Sequence, residues 1–169
     1  MATLFSVKGP CKIPIYQGKA GRTITDDNTL QFWKENAELA NERGCSVFGI
    51  RASKGFRPAY VGKATKNFKQ EVFSHHKLTR YQQYLADVSK GTPVLFFVIS
   101  PKKKGAPNSK HIAQLEEFLI QAGVAANPAF LNIRGTKVEE WGIAGVIRGG
   151  QGKSSKSAQE FVRLMKIAS

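Results

Sequence analysis

Two polar side chains break an otherwise apolar stripe in the middle of the chain. Glu71 and His75 stand four residues apart in a segment where Phe68, Val72, Leu78, Tyr81, Leu85 and Val88 recur at helical spacing. A carboxylate and an imidazole at i, i+4 share one helix face. They either pair with each other or serve as a proton-transfer couple. A third group of interest is Glu116, in Leu115-Glu-Glu-Phe-Leu-Ile120, which projects from a helix face that is otherwise apolar. Gly149-Gly-Gln-Gly-Lys-Ser-Ser155 lies between an expected strand and an expected helix, where glycine N–H groups and a helix N-terminus suit anions. It is not a full P-loop, because the position five before Gly152 is Ile147. A phosphate contact involving Lys153, Lys156 and Arg148 is the more natural expectation there. Cys11 and Cys45 are 34 residues apart, with no CxxC pair and no zinc-finger spacing to the three histidines.

The elements that must position these groups can be read from periodicity and punctuation. The first 25 residues are basic and rich in turns, which suggests a small hairpin or irregular extension. Asp26 to Thr29 reads as a helix start. Leu30, Trp33, Ala37 and Ala40 follow at helical spacing, and Gly44 reads as the stop. Cys45–Arg51 and Ala59–Gly62 read as a hairpin around Ser53-Lys-Gly55. One long helix is expected over 66–89. Pro93–Ile99 is a continuous apolar strand suited to the centre of a sheet. Helices are expected over 110–122 and 158–167, with a strand over 141–147 between them. The expected fold is α/β (α+β), a small three-stranded antiparallel-type sheet flanked by helices. Its expected parts are an N-terminal extension with a helix (1–44), a central domain (45–133), and a C-terminal strand, loop and helix (134–169).

The chain has 169 residues, 26 Lys and Arg against 12 Asp and Glu, and a formal charge of +14. Small domains usually carry a net charge of about 2–8 in magnitude. The excess favours a polyanionic partner, nucleic acid before an anionic membrane. Lys102-Lys-Lys104 adds a basic run. The longest apolar stretch, Val94–Ile99, is far too short to span a membrane, and residues 1–9 lack an apolar signal-peptide core. A cytoplasmic protein with reduced thiols, not bound to a membrane, is the expectation.

Several of these motifs in order resemble the GIY-YIG nuclease domain. Ser46-Val-Phe-Gly-Ile50 stands where that family has its first strand, and Tyr60-Val-Gly-Lys63 where it has its second, with eleven residues between Phe48 and Tyr60. Thr65-Lys-Asn-Phe68 begins the following helix, Glu116 precedes Leu119-Ile120 by three residues, and Asn132 follows Asn127-Pro128. The likeness spans about residues 45–133. It implies a divalent-metal-dependent endonuclease acting on nucleic acid, DNA ahead of RNA, with Mg²⁺ or Mn²⁺ as cofactor. Carried over residue by residue, Glu116 is the metal ligand, Tyr60 assists the attacking water, and His75 (with His76 beside it) and Asn132 complete the set.

Two positions depart from the family pattern: the first tyrosine is Phe48, and the helix arginine is Glu71. A carboxylate in place of a phosphate-clamping cation matters, since a unit charge pair at about 4 Å is worth about 4 kcal/mol at an effective dielectric of about 20. Either nuclease chemistry has been lost and a binding module remains, or Glu71 acts as a second ligand, with Lys63, Lys69 or Arg80 supplying the cation. A structural or interaction protein whose charge serves membrane or protein contacts is the third alternative.

Overall fold

The computed structural model of the chain describes residues 3–102, 108–132, 143, 144, 146 and 154–165. Two compact units are found, Met1–Thr136 and Lys137–Ser169. In the first, the order is β1 (Ser6–Lys12), β2 (Tyr16–Gly18), β3 (Gly21–Thr23), α1 (Asp26–Glu35), a 3₁₀ turn (Ala37–Leu39), β4 (Gly44–Ala52), β5 (Gly55–Ala64), α2 (Phe68–Glu71), α3 (His75–Asp87), β6 (Thr92–Ile99) and α4 (Ser109–Ala126). Among the described residues the strands form an antiparallel four-stranded sheet, β1-β6-β4-β5, and a separate two-stranded ribbon, β2-β3. The fold is mixed α+β.

β4 lies between β6 and β5 and is almost wholly buried, as its apolar run requires. On one face Cys45 meets α4, its sulfur 3.5 Å from the Ile112 carbonyl oxygen. On the other, Phe48 stacks on Tyr81 of α3, ring centroids 4.3 Å apart and planes 16° apart. The core continues through Phe32, Phe68 and Phe97, with Phe73 and Trp33 packed against it.

The structure differs from the sequence reading in three places that bear on the site. The sheet has a fourth strand, because the N-terminal segment pairs along β6 from Ser6↔Ile99 to Lys12↔Val94. Ile13, Ile24, Phe32 and Leu39 enter the same core as the hairpin, so residues 3–44 are built into the unit. In α1 the buried residue is Phe32, whereas Leu30 faces solvent. The helix expected over 66–89 is broken into α2 and α3. Asn67 caps α2 by accepting from the Gln70 N–H at 2.8 Å. Ser74, with ψ 151°, interrupts the helical path. The break turns Phe73 edge-on to Phe32 and Trp33, at 5.2 and 6.0 Å between centroids. Glu71 and His75 therefore do not share a helix face.

The second unit contains α5 (Lys156–Met165), capped by Ser155, whose hydroxyl accepts from the Ala158 N–H at 3.1 Å. Most of the expected strand over 141–147 and the Gly149–Lys153 loop lie outside the described residues.

Candidate functional site

β5 has one strand neighbour among the described residues, β4, and its outer edge would otherwise present unpaired backbone groups. The segment following α4 covers that edge. Asn127 donates to the Pro58 carbonyl at 2.7 Å and to the Tyr84 hydroxyl at 3.1 Å. The Leu131 N–H donates to the Ala59 carbonyl at 2.8 Å. The Asn132 amide then copies a strand residue: its oxygen accepts from the Val61 N–H and its nitrogen donates to the Val61 carbonyl, both at 2.8 Å. This seam holds Asn132 beside Tyr60 and Gly62. α4, packed on β5 and β4, brings Glu116 to the same place.

The result is an open cleft of about 860 Å³ whose lining includes Tyr60, Lys63, His76, Arg80, Glu116 and Asn132. The register sets Phe48 opposite Tyr60 across the β4–β5 hairpin. Phe48 is 0% exposed, and Tyr60 is 7% exposed with its ring edge-on to Tyr81 at 5.9 Å. Burial raises the Tyr60 phenol above its ordinary pKa, and the Glu116 carboxylate raises it further, against the pull of Arg80. Tyr60 is thus a neutral phenol at neutral pH, able to donate a hydrogen bond. Tyr81 is pushed up much further, chiefly by complete burial.

Glu116 is held by a single residue at both oxygens. Oε1 accepts from the Lys63 N–H at 3.2 Å, and Oε2 lies 3.1 Å from the Lys63 ammonium. Lys77 closes the arrangement from α3. Its ammonium donates to the Lys63 carbonyl at 2.7 Å, and its chain lies across Gly62 so closely that a Cβ there would stand 2.8 Å from Lys77 Cε. Desolvation lowers the Lys77 pKa, while Glu71, Glu116 and Cys45 hold it up and Lys63 pulls it down. Cys45 is pushed up to about 12, first by burial and then by Glu116, with Lys77 and Lys63 opposing. It is a neutral thiol at neutral pH.

The structure thus brings Tyr60, Lys63, Arg80, Glu116 and Asn132 together. His75, at the start of α3, is not among the cleft-lining residues, and His76 is. Glu71 accepts from the Lys66 N–H at 2.6 Å, tying down the loop that leads into α2, and its charge reaches the site through Lys77. Lys69 is exposed on α2, and Lys102 pairs with Glu42 at 2.7 Å. Lys103, Lys104, Arg148 and Lys153 lie outside the described residues, and Lys156 opens α5 in the second unit. The residue that sequence reasoning missed is Lys77. Its signal was phase: Lys77, Tyr81 and Leu85 are spaced by four, so Lys77 sits in register with buried residues of α3.

No protein-family model, curated protein or solved structure matches this chain. Among the described residues no group of three or more His, Cys, Asp or Glu is arranged to hold a metal ion. Glu116 and Glu117 both line the cleft, and Glu116 is the carboxylate that the resemblance assigns to a metal. A hard cation such as Mg²⁺ commonly takes only one or two protein carboxylates and fills its shell with water and phosphate oxygens. The Lys63 side chain is 47% exposed, so its ammonium can swing to solvent and free Oε2. The donor chemistry is compatible with such an ion.

Proposed function

We propose that this chain binds nucleic acid, DNA ahead of RNA, and cleaves phosphodiester bonds in the Tyr60–Glu116 cleft, as an altered relative of GIY-YIG endonucleases. The observation that carries this reading is convergence. Tyr60 from β5, Glu116 from α4 and Asn132 from the seam beyond it reach one open cleft, rimmed by Lys63 and Arg80 and backed by Lys77. The excess of positive charge supplies the long-range attraction.

In this reading a phosphate in the cleft meets Lys63 and Arg80, with Lys77 supplying positive charge from beneath. These cations offset the anionic charge that grows in the transition state and replace the arginine missing at Glu71. Tyr60, kept protonated by its surroundings, donates to a phosphate oxygen or orients the attacking water. Asn132 fixes the β5 edge and therefore the position of Tyr60. His76, on the rim, is the group suited to exchanging a proton with the water or the leaving oxygen. A Mg²⁺ or Mn²⁺ ion held at Glu116, when bound, supplies Lewis-acid polarisation of a phosphoryl oxygen.

The test is cleavage of single- and double-stranded DNA and RNA with and without Mg²⁺ or Mn²⁺. Metal-dependent cleavage is expected in the wild type. Glu116→Gln should abolish it while leaving binding undiminished, since removing one negative charge weakens no phosphate contact. Cleavage that survives Glu116→Gln would place the chemistry elsewhere. One observation favours a second reading, a binding module without catalysis: Lys63 engages both Glu116 oxygens. That reading expects no cleavage with any metal, and tighter binding of Glu116→Gln.

A further inference from the structure

At the opposite end of the sheet, three cations from three elements meet around a second hollow. Lys12 ends β1, Arg51 lies near the end of β4, and Lys90 sits in the turn between α3 and β6. With Ser53 and Gly91 among their neighbours, they line a pocket of about 600 Å³, and no described residue lining it is acidic. All three cations are exposed.

The pocket is built. Arg22 donates to the Val88 carbonyl and, at 2.6 Å, to the Gly91 carbonyl, pinning the turn that carries Lys90. Gly91 has φ +95°, and a Cβ there would fall 2.3 Å from Ile50 Cγ2 and 2.9 Å from the Arg51 carbonyl oxygen. Only glycine lets the turn close on the end of β4 in this way. The Arg51 guanidinium stands 5.9 Å from the centroid of the Phe56 ring, which helps to orient it. Like charges are thus held around one concavity by a fixed backbone, with no carboxylate among its described lining to offset their repulsion. A concave surface lined by one sign of charge concentrates ligands of the other.

We propose that this pocket is a second phosphate site, and that it takes the sugar–phosphate backbone of the same nucleic acid that enters the Tyr60–Glu116 cleft. The proposal rests on the nucleic-acid reading above. The distance between the two sites fits one duplex reaching both. Cys45, paired with Lys63 at the cleft end, is six residues from Arg51 along β4, which at about 3.4 Å per residue is roughly 20 Å. Along its axis a DNA duplex rises about 3.4 Å per phosphate of one strand, so about six base-pair steps cover that span. Arg57, exposed on β5, pairs with Ile50, one position from Arg51 at the pocket end.

The experiment measures binding of the full chain to a fluorescent duplex of about 24 bp as salt is raised from about 50 to about 250 mM. Each neutralised phosphate contributes about 0.9 to the slope of log K against log salt. K12Q/R51Q/K90Q should make the slope shallower by about 2–3 units, and Lys90→Gln alone by about one. The control K19Q/K34Q/K110Q removes the same charge from exposed positions that do not line the pocket, and should change the slope by less than about one unit. If the triple variant matches the control while Lys63→Gln loses slope, the second site is overturned and the cleft reading stands. If the wild type does not bind the duplex at about 50 mM salt, both fall together. If the triple variant keeps its duplex slope and loses binding to phosphatidylglycerol vesicles, the pocket serves a membrane and the proposal is overturned.

Discussion

Lys77 carries charge into a place where charge is costly, between Glu71, Glu116 and Cys45 and beneath Gly62. If it offsets the phosphate, Lys77→Gln should lower the cleavage rate by about 10²-fold, the usual cost of one stabilising group in such a site. Its lowered pKa means that the ammonium is lost at a lower pH than the 10.5 of an ordinary lysine. Cleavage should therefore fall on the alkaline side below pH 10.5. Lys77→Arg, which does not titrate in that range, should flatten this limb. A pH–rate profile of the two proteins decides the point.

Cys45 makes a separate statement about stability. Its folded pKa is about 12 against 9.0 for a free thiol, so between these values the folded chain holds a proton that the unfolded chain has lost. The stability that Cys45 contributes is complete below pH 9.0 and is lost as pH rises toward 12. The Lys77 shift has the opposite sign in its own window, so the wild-type curve contains both. The difference between wild type and Cys45→Ala in urea unfolding at pH 8 and pH 10.5 isolates the thiol, and the variant should lose less stability over that interval.

Among the elements, the seam from Asn127 to Asn132 determines whether the cleft has a second wall. Asn132→Ala removes both bonds to Val61 and should destabilise the chain by about 1–3 kcal/mol in urea unfolding. It should also weaken cleavage, because β5 and Tyr60 lose their support. The hairpin supports a sharper prediction at Phe48. Placing the tyrosine of the GIY-YIG pattern there should not create a typical site, because Phe48 is fully buried against Tyr81 and a new hydroxyl would need a partner in the core. Phe48→Tyr should cost about 1–3 kcal/mol of stability with no gain in cleavage. The hairpin was legible because its signals are local: apolar runs on either side of Ser53-Lys-Gly55, and Phe48 does face Tyr60. The break between α2 and α3 was not. It depends on Phe73 finding Phe32, 41 residues earlier, and a periodicity read along one segment cannot register a partner on another.

For the whole molecule, charge and topology act together. The net charge of +14 acts on an anion from any direction, whereas the fold gathers cations in two separate hollows. Binding of the wild type to duplex DNA should be weakly sequence-specific, with a log–log salt slope several units negative at about 0.9 per phosphate contact. Binding insensitive to salt would be incompatible with this picture. No helix among the described residues is long and apolar enough to cross a membrane.

Composition and local pattern by themselves determined the positive charge, the β4–β5 hairpin, the apolar β6 strand and α4 with Glu116 on it. All of these follow from side-chain chemistry and from repeats only a few residues long. Tertiary structure decided the rest. It drew β1 from the N-terminal segment into the sheet, because the edge of β6 needed hydrogen-bond partners. It placed His76 rather than His75 in the cleft wall, with His75 the first residue of α3 after the break at Ser74. It tied Glu71 to a loop N–H and brought Lys77 over Gly62, which has no side chain to keep it out. Each of these outcomes depends on groups far apart in the chain, and only packing brings such groups within reach of one another.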